Sequence, residues 1–278
     1  MGAGAQFGRF GKLTFIHVTD GAASARVARS KGFSSRRLYA AARQQELEAA
    51  LATAKISADC RMIGYRDLEA SFQMAALARR LRRMISDVKP DLIFTHAFEG
   101  GHPDHDATAY AVHTAVMELM EPVPIWEFAG YHRDGWEIVR GRFPTGTGAT
   151  LALCIPLSTD EQALKREMLE CFVSQADVVC EFPPAVERLR PAPRYDFAAN
   201  RPPETLGYEV AAWRIDGHLW RALVVVAERQ LRWGVLAGFH LDSLRVRWAM
   251  WARRAHPGHP RVMHLMQTLF RGPARDQS

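Results

Sequence analysis

Pro90-Asp91-Leu92-Ile93-Phe94-Thr95 runs through His96-Ala97-Phe98-Glu99 into Gly100-Gly101-His102-Pro103-Asp104-His105, and the reading of this stretch decides the fold. Asp91 to Thr95 is a short apolar run behind a proline, the pattern of a buried strand. The Gly-Gly pair marks a loop, and a helix is predicted from about Asp104 to Met120. A strand, a glycine loop and a helix start in that order put side chains at the carboxyl edge of a parallel sheet, where α/β proteins bind ligands. Two histidines three apart can face one cavity there. Neutral imidazole is the commonest ligand of catalytic zinc, and a neighbouring carboxylate can fix its tautomer, so His/Asp/His suits a metal hydrolase. Taken alone, the same four residues also describe an Asp helix cap beside two exposed histidines.

Upstream, Leu13-Thr14-Phe15-Ile16-His17-Val18 is β-branched and aromatic and stops at Thr19-Asp20-Gly21, a strand running into a turn. Ser34 and Ser35 can cap a helix that continues to about Ala54, with Arg43 and Glu46 three apart on it. A second strand near Arg61-Met62-Ile63-Gly64 precedes Tyr65-Arg66-Asp67, and a helix from about Glu69 to Val88 is ended by Pro90. Three alternations of strand and helix imply a parallel sheet with right-handed crossovers. After Pro122 shorter strands are predicted near 125–129, 136–139 and 150–155, a β-rich addition to the same domain. Ser158 caps a helix through Cys171. Residues 182–203, rich in proline and arginine, read as irregular, and a last helical region begins near Leu219.

The chain has 278 residues, 48% of them apolar, enough for one large α/β domain. It contains neither a long uncharged apolar run nor a signal-peptide pattern, which predicts a cytoplasmic, non-spanning protein. Four scattered cysteines, Cys60, Cys154, Cys171 and Cys180, form no C-x-x-C pair and are expected as reduced core residues. From Arg232 onward eight arginines stand against two aspartates, which accounts for the whole net charge of +6. Gly2-x-Gly4-x-x-x-Gly8 is no dinucleotide fingerprint, since no strand precedes it and the spacing is wrong.

Thr19-Asp20-Gly21-Ala22, Arg43-x-x-Glu46, Gly64-Tyr65-Arg66-Asp67, Lys89-Pro90-Asp91 and Gly101-His102-Pro103-Asp104-His105 together resemble, in order and spacing, the landmarks of the LmbE/PIG-L family of zinc-dependent N-acetylglucosaminyl deacetylases. The likeness extends over roughly residues 1 to 230, through Lys165, Ser174-Gln175, Glu187 and the stretch from Trp213 to Arg221. It implies a Rossmann-like three-layer α/β fold with a parallel sheet. It also implies hydrolysis of an N-acetyl group on an N-acetylglucosamine-type sugar conjugate, with Zn2+ as cofactor. By the same resemblance His105 would be a zinc ligand, and His102 the group that stabilises the oxyanion and protonates the leaving amine. Asp104 would orient His102, while the metal would polarise the amide carbonyl and activate water. Arg43 and Asp67 match sugar-binding positions, and each has a structural alternative, a pair with Glu46 for the one and a turn cap for the other. Asp20 could contact substrate or simply hold its turn. His17 reads as a core residue.

One landmark is absent: no His-Pro-Asp-Asp motif occurs in the 278 residues, so two protein zinc ligands and the general base have no counterpart. Gly2-Ala3-Gly4-Ala5-Gln6 resembles the small-residue helix start that follows that motif in the family. The expectation is that the motif and the first, central strand lie upstream, and that without them the chain folds poorly, its neighbouring strands left with unpaired edges. A metal-free, glycan-binding descendant is the alternative.

Residues 231–278 read as a separate basic tail in which Trp233, Trp248 and Trp251 interleave with arginine. Residues 244–251 would form an amphipathic helix, either packed on the domain or lying on an anionic membrane, the latter in keeping with a peripheral accessory role in glycolipid synthesis. No nucleic-acid reader motif accompanies the charge, so none is expected as a partner. The sequence assigns no oligomeric state.

Overall fold

The computed structural model describes residues 11–145, 152–199, 206–211, 213, 215–233, 246 and 248. Strand β1 (Leu13–Thr19) pairs in parallel with β2 (Ala58–Tyr65), Leu13 opposite Ala58 and His17 opposite Met62. Between them stand α1 (Ala25–Ser30), a short helix not expected from the sequence, and α2 (Arg36–Thr53). Ser35 caps α2 by accepting the Leu38 amide at 3.2 Å. A 3-10 turn over Ala70–Gln73 leads into α3 (Met74–Val88), which buries Met74, Leu77, Leu81 and Ile85 and turns Arg82 and Arg83 to water. It ends where Lys89 takes a left-handed conformation, φ +50°, ahead of Pro90.

Next come β3 (Ile93–His96), α4 (Pro103–Met117) and β4 (Ile125–Phe128), the two strands parallel with Ile93 opposite Ile125. The added portion starts with a hairpin, β5 (Tyr131–Asp134) and β6 (Glu137–Arg140), of which only the second strand was expected. It continues through β7 (Leu153–Pro156), α5 (Thr159–Glu170), α6 (Ala176–Val179), β8 (Val186–Pro191), α7 (Gly207–Val210) and α8 (Gly217–Trp233). Ser158 and Glu161 complete a reciprocal capping box on α5.

The fold is mixed α/β, and two expectations about its sheet need correction. The predicted run of parallel strands is realised only in pairs: β1-β2 is one sheet, β3-β4-β8-β7 another, and among the described residues no strand joins β1 to β3. All seven residues of β1 are half-buried. In addition, residues 186–191, read as irregular, form the strand between β4 and β7, antiparallel to both. Their charges hid the strand, because each finds its partner only in the tertiary structure. Arg190 meets Glu127 at 3.0 Å, Glu187 meets Lys165 at 2.7 Å, and Arg188 donates to the Gly141 carbonyl at 2.8 Å.

The main core joins α3, α4 and α8 and receives Ile16 and Val18 of β1 and Ile93 of β3. Val246 is buried in it and Trp248 packs against it; the other residues of the expected tail helix and its membrane face lie outside the described residues. A smaller core ties α2 to α5 through Ala50, Met168 and Phe172. The cysteines are free but not core residues: Cys60, Cys154 and Cys180 are exposed and Cys171 is half-buried. Among the described residues no helix is long and apolar enough to cross a membrane.

Candidate active site

The histidine cluster forms where the β3 to α4 loop turns into the helix. His102 is the N-cap of α4: its Nδ1 accepts the Asp104 amide at 3.2 Å, and Pro103 fills the first helical position, where no amide is needed. An accepting Nδ1 leaves the ring proton on Nε2. The His102 ring lies 4.9 Å from that of His105 and 4.6 Å from that of Trp213. His105 in turn stacks on His96, with centroids 3.9 Å apart and planes 7° from parallel. Burial drives the pKa of both stacked imidazoles well below the usual value, and a neighbouring histidine adds to each effect. Their Nδ1 atoms are buried without a hydrogen-bond partner.

Asp104 faces away from solvent and accepts the Leu68 amide at 2.6 Å and the Ala70 amide at 3.0 Å. These bonds pin to the helix start the loop that carries Asp67, where Leu68 holds φ +67°. Ser71 adds a bond to the Pro103 carbonyl at 2.9 Å. Asp67 is near enough to Tyr131 to raise its phenol pKa, after burial the largest influence there. Asp67, His102, Asp104 and His105 therefore share one region.

Arg43 and Asp20 meet at the Gly21 turn, which is joined to the Asp67 loop where the Asp20 amide donates to the Tyr65 carbonyl at 2.8 Å. The Arg43 side chain lies under the Gly21 turn, reaches Glu46 only at 3.6 Å, sits 5.8 Å above the Phe172 ring, and keeps Nε buried without a hydrogen bond. Asp20 accepts the Ala22 amide at 3.1 Å and pairs with Arg36, so it does hold its turn. Glu46 accepts from the amide and hydroxyl of Ser174 at 2.6 and 2.9 Å, fastening α2 to the segment after α5. His17 is half-buried in β1 with Nε2 unpartnered, and burial lowers its pKa.

Sequence reasoning missed Glu99, Asp106 and Tyr131. Glu99 accepts the amides of Gly130 and Tyr131 at 3.0 and 2.9 Å, which holds the start of β5 against the glycine loop. The Tyr131 ring then stands edge-on to His105, centroids 5.5 Å apart. Asp106 accepts the amides of Gly100 and Glu99 at 3.1 and 3.3 Å and so closes the loop from the helix side. Burial pushes Asp106 up to about 7, against the pull of those amides and of the Tyr208 hydroxyl. Glu99 is raised well above the carboxylate range by burial and by Asp106. The only local signal was their position, bracketing the His102 to His105 motif on both sides.

Among the described residues no three His, Cys, Asp or Glu side chains come together in a way that could hold a metal ion. One imidazole does not bind catalytic zinc. The described residues on their own therefore do not fit the implied ion.

Residues 7–116 match the family described as PIG-L: GlcNAc-PI de-N-acetylase. A probable N-acetyl-alpha-D-glucosaminyl L-malate deacetylase 2 of Bacillus anthracis is 34% identical over 113 residues, 39% of this chain and 48% of that protein. The chain thus spans about half the length of that curated relative. Among solved structures, the A40926 pseudoaglycone deacetylase superposes with a TM-score of 0.54 at 21% identity, over 70% of this chain and 90% of the other. A triple mutant of a teicoplanin-pathway deacetylase gives 0.53 at 22% identity, over 70% and 92%. These two likenesses are of fold. The motif ending in His105 lies within the stretch that matches the family.

Proposed function

We propose that this protein belongs to an N-deacetylase that hydrolyses the acetamide of an N-acetylglucosamine-type conjugate, releasing acetate and a free amine. The observation that carries the reading is the half-buried pair His102 and His105 at the start of α4, inside the segment that matches the deacetylase family. His102 holds its proton on Nε2, the atom that would donate to the developing oxyanion and then to the leaving nitrogen. His105 is kept neutral by burial, with Nδ1 unpartnered, as a nitrogen ligand must be. Asp104 acts through the Leu68 and Ala70 amides to set Asp67 at the rim for a sugar hydroxyl, and Arg43 would serve a second sugar contact.

Zinc, which the family implies, needs donors from outside the described residues. The split between β1 and β3 supports one further parallel strand in that position, with the missing donors at its carboxyl end. A cytoplasmic location goes with this reading. The convergence of fewer than three donors among the described residues favours a second reading, a metal-free protein that binds the glycan without hydrolysing it. Zinc content and acetate release are to be measured side by side on residues 1–278 and on the chain extended in frame upstream. Zinc and turnover gained only by the longer chain support the deacetylase. Ligand-induced stabilisation without zinc or acetate in either supports the binder, and equal zinc and activity in both refute the completing strand.

A further inference from the structure

The stretch that matches the family ends at residue 116, yet two side chains from far beyond it, Tyr208 and Trp213, reach the surroundings of the histidine pair. They arrive on chain that is anchored to the site itself. The Gly207 amide donates to the Gly100 carbonyl at 2.8 Å, and a Cβ on Gly207 would stand 2.8 Å from the Gly101 carbonyl oxygen, so backbone lies directly on backbone at the glycine loop. Tyr208 is fully buried with its hydroxyl beside Asp106. The Glu209 carboxylate accepts the Gly217 amide at 2.7 Å, which ties α7 to the start of α8 and fixes both ends of the connection that carries Trp213. Leu206 and Ile215, buried on either side of that residue, fasten the connection to the main core.

His102 needs such a neighbour. Its Nδ1 accepts the Asp104 amide at 3.2 Å, the long end of the range for a nitrogen donor, and one long bond is a weak restraint on an imidazole ring. The proton on Nε2 serves a developing oxyanion only if the ring keeps its direction, since a misplacement of about 1 Å can cost on the order of a hundredfold in rate. Two rings lie against His102: His105, with centroids 4.9 Å apart and planes at 34°, and Trp213, at 4.6 Å and 58°. Both contacts fall in the range of favourable tilted aromatic pairs, and the indole offers the larger surface. His105 is fixed in turn by its stack on His96, and Trp213 by packing against the main core.

We propose that Trp213 is a positioning residue for His102: it holds the imidazole so that Nδ1 stays on the Asp104 amide and Nε2–H is directed to the substrate carbonyl. The inference rests on the deacetylase reading for the carbonyl alone. The hold on the ring stands on the contacts of this chain.

The test compares wild type, Trp213→Ala, Trp213→Phe and Glu209→Ala. The first readout is NMR-detected hydrogen exchange at the Asp104 amide, in residues 1–278 and in the chain extended in frame upstream. The Leu68 and Ala70 amides, held by the Asp104 carboxylate, are the internal references. Removing the indole should speed exchange at Asp104 about tenfold and leave both references within about twofold. Trp213→Phe should recover most of the protection. Glu209→Ala keeps the indole and alters an exposed residue, so it should give a smaller acceleration at the same amide even where Trp213→Ala folds poorly. The second readout is acetate release from free N-acetylglucosamine by the extended chain, with kcat about tenfold lower in Trp213→Ala and KM unchanged. Exchange accelerated equally at all three amides in both alanine variants, or at Asp104 in neither, overturns the proposal, and so does an unchanged kcat beside faster Asp104 exchange. If no protein, wild type included, releases acetate, acceleration confined to Asp104 keeps the hold on His102 and discards the deacetylase.

Discussion

Gly101→Ala tests how the site is assembled without touching a histidine. Gly101 has no left-handed backbone angle, so alanine meets no conformational penalty of its own. Its Cβ, however, would overlap the Tyr131 carbonyl oxygen and stand 2.8 Å from the carbonyl carbon. Neither strand nor loop can yield alone, because Glu99 holds the Gly130 and Tyr131 amides at 3.0 and 2.9 Å and Asp106 holds Gly100 at 3.1 Å. Relief of the overlap must stretch the two Glu99 bonds. Glu99 is raised well above the carboxylate range and accepts as a neutral carboxyl; such bonds contribute about 0.5–1.5 kcal/mol each, so a loss of roughly 1–3 kcal/mol is expected. Urea denaturation followed by tryptophan fluorescence measures it, with Glu99→Gln as the control that keeps a side-chain oxygen for both amides. Tyr131 should also withdraw from His105, and any acetate release should fall more than binding of the free sugar. A loss below about 1 kcal/mol in Gly101→Ala would show that the loop and the hairpin root are not coupled as described.

Three further outcomes follow from the packing. Arg190→Met strands the fully buried Glu127 and should cost about 3–5 kcal/mol, most of it recovered in the double variant with Glu127→Gln; denaturation midpoints of the three proteins check this. Asp104→Ala removes the acceptor for the Leu68 and Ala70 amides and should cost roughly 2–4 kcal/mol, with faster hydrogen exchange at both amides as the specific sign. Ser158→Ala breaks the capping box of α5 and should cost about 1 kcal/mol, read as a shift in urea midpoint at unchanged slope.

Much of the architecture is legible from periodicity. α2 has its Ser35 cap and α3 its Pro90 stop in the sequence, and β1 and β3 are short, largely apolar runs, so local interactions and burial agree. The His102 to Asp104 turn is equally local: an N-cap, a proline at the first helical position and a carboxylate follow one another in the chain. β8 was illegible because Glu187, Arg188 and Arg190 suggest a solvated loop until Lys165, Gly141 and Glu127 are brought to them from elsewhere. Pairing between distant residues leaves no periodic trace in either partner.

The sequence by itself determined the α/β alternation and the two histidines at a helix start, since each depends on residues close together along the chain. Only the tertiary structure decided that Glu99 and Asp106 lock that helix start to the hairpin, that Asp104 serves the Asp67 loop, and that Arg43 lies under the turn Asp20 holds. These are matters of which distant backbone amides meet a buried carboxylate. That meeting is set by packing, because a buried polar group must be satisfied by whatever the fold places beside it.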